Sequence, residues 1–210
     1  MTVRSPAPEM SLRERKKEKL RQALIDTATE LFRERTFAST RMEDIAAVVE
    51  VGVTTVYNYF PSKHDLLVAI IENQVNLAQR KVKRVLDALP DEPVEGFVKM
   101  IGADYGNMDR IEDKRLWREL LSVMLFVSGK HVEIEQSRNR FRQSLQEALV
   151  SYVELGKVKL ECEIEAIVDV IYAIYAYHFR GLTCIDKART RDSLKLVRRD
   201  VDAVLRAYVI

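Results

Sequence analysis

Apolar residues recur along this chain at helical spacing, three or four positions apart, and alternation of the strand kind is nearly absent. Leu20, Leu24, Ala28, Leu31 and Phe32 share one face, which Arg35–Phe37 and Ser39–Thr40 interrupt. A short helix is expected from about Met42 to Val49. A turn at Glu50 and Val51 leads to a second, about Val53 to Asn58, and Pro61 stops it. Ser62 suits the N-cap of a long helix reaching about Leu89, with Asp65 near its positive end. Further on, three sets share faces: Phe97, Met100, Ile101 and Tyr105; Leu116, Trp117, Leu120, Leu121 and Met124; Phe141, Leu145, Ala148, Leu149 and Tyr152. Gly156 marks the end of the last of these helices. The stretch from Cys162 to Leu182 is apolar nearly all round, which predicts burial on more than one side. Leu194, Val197, Val201, Val204, Leu205 and Tyr208 form a final broad stripe.

The pattern is that of an all-α chain of two domains. Residues 1–10 read as a disordered arm, 11–66 as a small three-helix unit and 67–210 as a larger helical bundle. The boundary falls inside the long helix, because no flexible linker separates the halves. With 7 Gly and 5 Pro in 210 residues, long helices and few turns are expected.

Composition narrows the function. The net charge of +2 sits in residues 1–64, which hold 11 Lys/Arg against 9 Asp/Glu. The run from Ser11 to Arg21 holds six basic and two acidic residues, a footprint suited to phosphates. No apolar window reaches the roughly 18 residues that a membrane span needs, and no secretion signal opens the chain, so the cytoplasm is expected. Cys162 and Cys184 match no metal or disulfide spacing. His131, Glu133 and Glu135 alternate in a way that keeps them off one helix face, and His64 and His178 lie in other segments, so no metal is expected. No phosphate loop, nucleophile elbow or metalloprotease run is present. An enzyme is therefore not expected, and no cofactor is called for.

The two short helices form a helix-turn-helix. Ala46 stands where they touch, and its small side chain lets them approach. Ile45, Val49, Val51 and Val56 supply a little core. Gly52 precedes the second helix, where an exposed N-terminus can face a phosphate. Glu50 occupies a turn position that favours glycine with positive φ, at a cost of about 1–2 kcal/mol.

Thr40–Ala46, Gly52–Val53, Thr55–Lys63 and Asp65–Leu67 together resemble the DNA-binding domain of the tetracycline-repressor (TetR) family, over roughly residues 20–70. Glu50 departs from it, as does Thr36, where a glycine often follows the first helix. The resemblance implies an N-terminal helix-turn-helix DNA-binding domain with a C-terminal helical bundle for ligand binding and dimerisation. It implies a repressor that binds a palindromic double-stranded DNA operator as a homodimer and is released by a small-molecule effector. Thr54, Thr55 and Tyr57 would then approach base edges, with Val53 and Asn58 as weaker candidates, Asn58 facing either an adenine or the phosphates. Thr40, Arg41, Tyr59 and Lys63 would hold phosphates, Lys63 also because it opens a helix. Phe60 is the aromatic expected to pack inward. The last two helices would form the dimer interface. A helical protein–protein adaptor, or a ligand-sequestering protein without DNA binding, is the alternative.

In the C-terminal domain, Tyr105, Trp117, Met124, Phe141, Tyr172, Tyr175 and His178 are the candidate effector-pocket residues, beside Phe97 and Met100. Tyr172, Tyr175 and His178 stand out, because polar tips on a buried helix need partners. Plain core is the competing reading for each.

Overall fold

The computed structural model describes residues 11–126 and 132–209, excluding the side chains of residues 123–126 and 132–138. The arm, residues 1–10, lies outside the described residues. Helices run in the order α1 (Leu12–Arg35), α2 (Met42–Val49), α3 (Val53–Tyr59), α4 (Lys63–Leu86), α5 (Pro93–Tyr105), α6 (Ile111–Phe126), α7 (Val132–Glu154), α8 (Ile164–Cys184) and α9 (Thr190–Leu205). No strand appears among the described residues; Val158 and Val209 form an isolated bridge. The chain divides into two compact units, the first closing at Ile70 within α4 and the second opening at Ile71.

Helix α1 starts eight residues before its apolar face does, because Ser11 caps it. The Ser11 hydroxyl accepts from the Glu14 amide at 3.3 Å, and Glu14 accepts from the Ser11 amide at 2.8 Å. Residues 12–19 are all exposed, so this basic opening is a solvated extension. Further along, Leu24, Ile25, Ala28, Leu31 and Phe32 are buried and form the first unit's core with Ile45, Ala46, Val56, Phe60, Leu66 and Leu67. The expected inner residues Val49 and Val51 are only half-buried. Helices as short as α2 and α3 are not stable alone, and this shared core is what holds them.

The second unit follows the sequence faces closely. Phe97, Met100, Ile101 and Tyr105 from α5 meet Phe141, Leu145, Ala148, Leu149 and Tyr152 from α7, Ile167, Val168, Ile171, Phe179 and Leu182 from α8, and Val197, Val201 and Leu205 from α9. Gly156, at φ 68°, lets the chain leave α7. Gly96 leaves room for Tyr152, since a Cβ there would lie 2.0 Å from the tyrosine oxygen. That hydroxyl donates to the Pro90 carbonyl at 2.8 Å. Helix α8, expected to be buried on more than one side, is covered on one face in this single chain. Its inner face is covered, but Val170 and Tyr177 are exposed, Tyr177 at 74%.

Candidate functional site

Helix α3 is a seven-residue platform with two faces. Val56 points in, with no exposure, beside the fully buried Ile45. Thr54, Tyr57 and Asn58 are exposed, while Val53, Thr55 and Tyr59 are half-buried. Tyr57 leaves 43% of its surface to solvent, a large ring turned out from a small domain. Phe60 packs inward with 3% exposure, and the Arg21 guanidinium of α1 lies 5.5 Å from its ring centre.

The turn before α3 is strained where glycine is missing. Glu50 sits at φ 58° and ψ 43°, the left-handed region. The Val51 amide reaches back to the Ala46 carbonyl at 3.0 Å, which closes the helix end. Thr36 is the other positive-φ residue that is not glycine, at φ 85° and ψ 156°. That conformation is close to glycine-only and costs about 1–3 kcal/mol. The two places where the sequence departs from the family pattern are thus the two that carry backbone strain among the described residues.

Two expected phosphate contacts are placed otherwise. Thr40 has no exposure, and its hydroxyl donates to the Thr36 carbonyl at 2.8 Å and the Leu31 carbonyl at 3.4 Å. It is a tether between the end of α1 and the start of α2, not a surface group. Lys63 also faces inward. Its ammonium donates to the carbonyls of Phe37 at 2.6 Å, Thr40 at 3.0 Å and Ala38 at 3.4 Å, and it lies 4.4 Å from the Phe37 ring centre. All three N–H donors therefore have acceptors before any phosphate arrives. Arg41 is exposed, and its backbone amide, not its guanidinium, meets Asp44, at 2.9 Å. Ser62 caps α4, its hydroxyl accepting from the Asp65 amide at 3.1 Å.

In the second unit the candidate pocket residues whose side chains are described gather, with one exception. Tyr175 lies 4.6 Å from Phe141, 5.5 Å from Tyr105 and 5.4 Å from Tyr172, ring centre to ring centre. Phe179 joins the cluster 5.3 Å from Tyr105 and 5.3 Å from Trp117. The tyrosine tips find partners within the fold. Tyr105 donates to the Tyr175 carbonyl, and Tyr175 donates to the Asp104 carboxylate, both at 2.7 Å. Burial pushes the Asp104 carboxyl up to about 6, against the pull of the Tyr175 hydroxyl and of Lys81. His178 is the exception. It turns to α9 and meets Asp200 at 2.7 Å, so its partner is structural. Phe97 and Met100 have no exposure and are core. Met124's side chain lies outside the described residues, as do His131 and the side chains of Glu133 and Glu135.

Sequence reading missed Asp104, Phe179 and Lys114. Lys114 has no exposure, and its ammonium donates to the carbonyls of Ile185 at 2.9 Å, Asp186 at 3.0 Å and Ala188 at 2.5 Å, closing the end of α8 from α6. Lys114 stands among the charged residues Glu112, Asp113 and Arg115, so no local signal marked it out. For Asp104 the signal was a carboxylate in the last turn before a helix-ending glycine.

Residues 24–70 match the model of the tetR family of bacterial regulatory proteins. An uncharacterised helix-turn-helix transcriptional regulator of Bacillus subtilis, YerO, is 27% identical over 50% of this chain, a stretch that spans 35% of that protein. Among solved structures, a TetR-family regulator of Pectobacterium atrosepticum superposes at a TM-score of 0.73, with 22% identity over 96% of this chain and 98% of the other. The FadR repressor of Thermus thermophilus, solved with lauroyl-CoA, gives a TM-score of 0.64 with 20% identity, covering 90% of this chain and 95% of its own. At such identities the structures speak for the fold. No helix among the described residues is long and apolar enough to cross a membrane.

Proposed function

This chain belongs to the TetR family of transcriptional regulators, and from that premise we propose that it represses transcription by binding a near-palindromic operator as a homodimer. The observation that carries the reading is α3: it is anchored by Val56 and turns Thr54, Tyr57 and Asn58 outward. Helix α3 enters the major groove. The Thr methyls and the Tyr57 ring meet thymine methyls, and Asn58 pairs with adenine. Thr55, half-buried, lies at the edge of this set. Arg41 and Tyr59 take phosphates, joined by the exposed Arg13, Lys16, Lys17 and Lys19 of α1.

One unit reads half a site, so two must act together, with recognition helices about 34–36 Å apart. The outer faces of α8 and α9 support pairing of two copies. Val170, Tyr177 and Leu196 are exposed there, and an apolar face of this kind is costly unless covered. An effector in the second unit changes the spacing of the two recognition helices and so releases the operator. A structural neighbour, the FadR repressor, was solved with lauroyl-CoA, which is in keeping with a small-molecule effector here.

Selection of bound sequences from random DNA tests the proposal. An inverted repeat is expected, with affinity that falls steeply as salt rises. Sedimentation should give a dimer that Tyr177→Glu splits. Failure to retain any duplex in dilute buffer would overturn the reading.

A further inference from the structure

The connection from α1 to α2, residues 36–41, lies outside both helices, so its carbonyls need donors from elsewhere. Side chains supply them. The Ser39 hydroxyl donates to the Arg35 carbonyl, and the Thr40 hydroxyl to Thr36 at 2.8 Å and to Leu31 at 3.4 Å. The carbonyls of Phe37, Ala38 and Thr40 are all taken by one ammonium, that of Lys63, at 2.6, 3.4 and 3.0 Å. Phe37 is held at the same time. Lys63 lies 4.4 Å from its ring centre, and the rings of Phe32 and His64 meet it edge-on at 5.2 and 5.3 Å. Thr36 opens the connection at φ 85°, a conformation that persists only where surrounding contacts impose it.

Lys63 is the first residue of α4 and stands 23 positions beyond Thr40, so a different helix fixes this crossing. Arg41 follows Thr40 directly, exposed at the start of α2, and is the proposed phosphate contact there. A side chain meets a phosphate reproducibly only when the backbone beneath it is held. Thr40 has no exposure, and Lys63 is half-buried with its three N–H donors engaged. We infer that Lys63 is a positioning residue for operator binding: with Thr40 it fixes the connection that presents Arg41, and it makes no phosphate contact of its own. This rests on the proposed DNA binding and names what sets the phosphate contact of α2. Two consequences separate it from direct contact. A buried neutral residue, Thr40, matters to an electrostatic contact that it never touches. Removing Lys63 has no further effect on that contact once Arg41 is gone.

The test uses the full-length protein and the duplex recovered by selection, with the association constant measured over a range of KCl concentrations. The slope of log K against log [KCl] counts phosphates at about 0.9 each, so one contact from each copy of a homodimer adds about 1.8. Arg41→Ala should weaken binding about tenfold or more and lower the slope by about 1.8. Thr40→Val removes no charge, yet should lower the slope by a similar amount. Lys63→Met should do the same, and combining it with Arg41→Ala should be no worse than Arg41→Ala alone. Circular dichroism and sedimentation check that each variant is a folded dimer. Should Lys63→Met fail to fold, Thr40→Val combined with Arg41→Ala makes the same comparison. A Lys63→Met, Arg41→Ala double variant whose slope falls by about 3.6 would make Lys63 a phosphate ligand in its own right and overturn the inference. A slope unmoved by Thr40→Val, or by Arg41→Ala, would overturn it too. A parent protein that holds no duplex refutes the proposed function instead. A parent that binds its operator, with Lys63→Met and Thr40→Val binding equally well, refutes this inference alone.

Discussion

Lys63 and Lys114 stand in different units and make the same kind of connection. Each sends its ammonium to three backbone carbonyls: Phe37, Ala38 and Thr40 for Lys63, and Ile185, Asp186 and Ala188 for Lys114. Their settings differ. Lys63 is half-buried and lies over the Phe37 ring. Lys114 has no exposure; burial lowers its pKa, against the pull of Asp109 and Asp186. In the first unit, polar groups at the rim hold a small platform whose outer side chains stay available to something else. In the second unit four described polar groups find partners within the fold: Tyr105, Tyr175, His178 and Lys114 all end on protein atoms. The outer Tyr57 of α3 and the buried Tyr105 of the second unit are thus the same residue type, and exposure separates them.

Breaking the interior clamp should have the largest effect. Lys114→Met keeps the length of the side chain and strands three carbonyls, so stability should drop by about 3–4 kcal/mol, read as a lower urea midpoint. Asp104→Asn tests the opposite case, a half-buried charge that the fold tolerates. Its carboxyl titrates near 6 in the folded protein, above its ordinary 3.8. The folded state therefore binds more protons between those values, and stability falls as pH rises through that window. Above it, the variant should be about 2 kcal/mol more stable than the parent, a gain that disappears near pH 4. Equal stability of the two at neutral pH would show that the carboxylate is well solvated.

Smaller effects belong to the first unit. Lys63→Met should cost about 1–2 kcal/mol, because water can replace part of what the half-buried ammonium gives. If thermal unfolding were unchanged and only DNA affinity fell, Lys63 would be a phosphate ligand and the comparison would fail. Thr36→Gly and Glu50→Gly relieve positive-φ backbone and should each add about 1 kcal/mol. Tyr57→Ala should change stability by no more than about 0.5 kcal/mol while blurring the selected DNA sequence, since much of that side chain faces solvent.

The helices were largely legible in the chain. Met42–Val49 is observed as expected from its punctuation, and the buried sets of α5, α7 and α9 are those that spacing had grouped. The start of α1 was less legible, because Ser11 and Glu14 cap a stretch with no apolar face to announce it. Thr40 and Lys63, expected at phosphates, share one feature that the sequence did not announce. Both sit at helix starts, where exposed amides invite an anion, yet both point back into a loop whose carbonyls needed donors. His178 was read as a tip awaiting a ligand, and Asp200 supplied its partner from 22 residues away.

The sequence by itself determined the helical periods, the Ser62 cap, the helix-turn-helix and the positive φ at Glu50, because each depends on residues within a few places of one another. Only the tertiary structure decided which polar groups were free. Asp104 meets Tyr175 across 71 residues, and Lys114 meets Ile185 across as many, so their partners are set by how distant helices pack. The cost of burying a polar atom depends on what stands opposite it, and no local pattern records that.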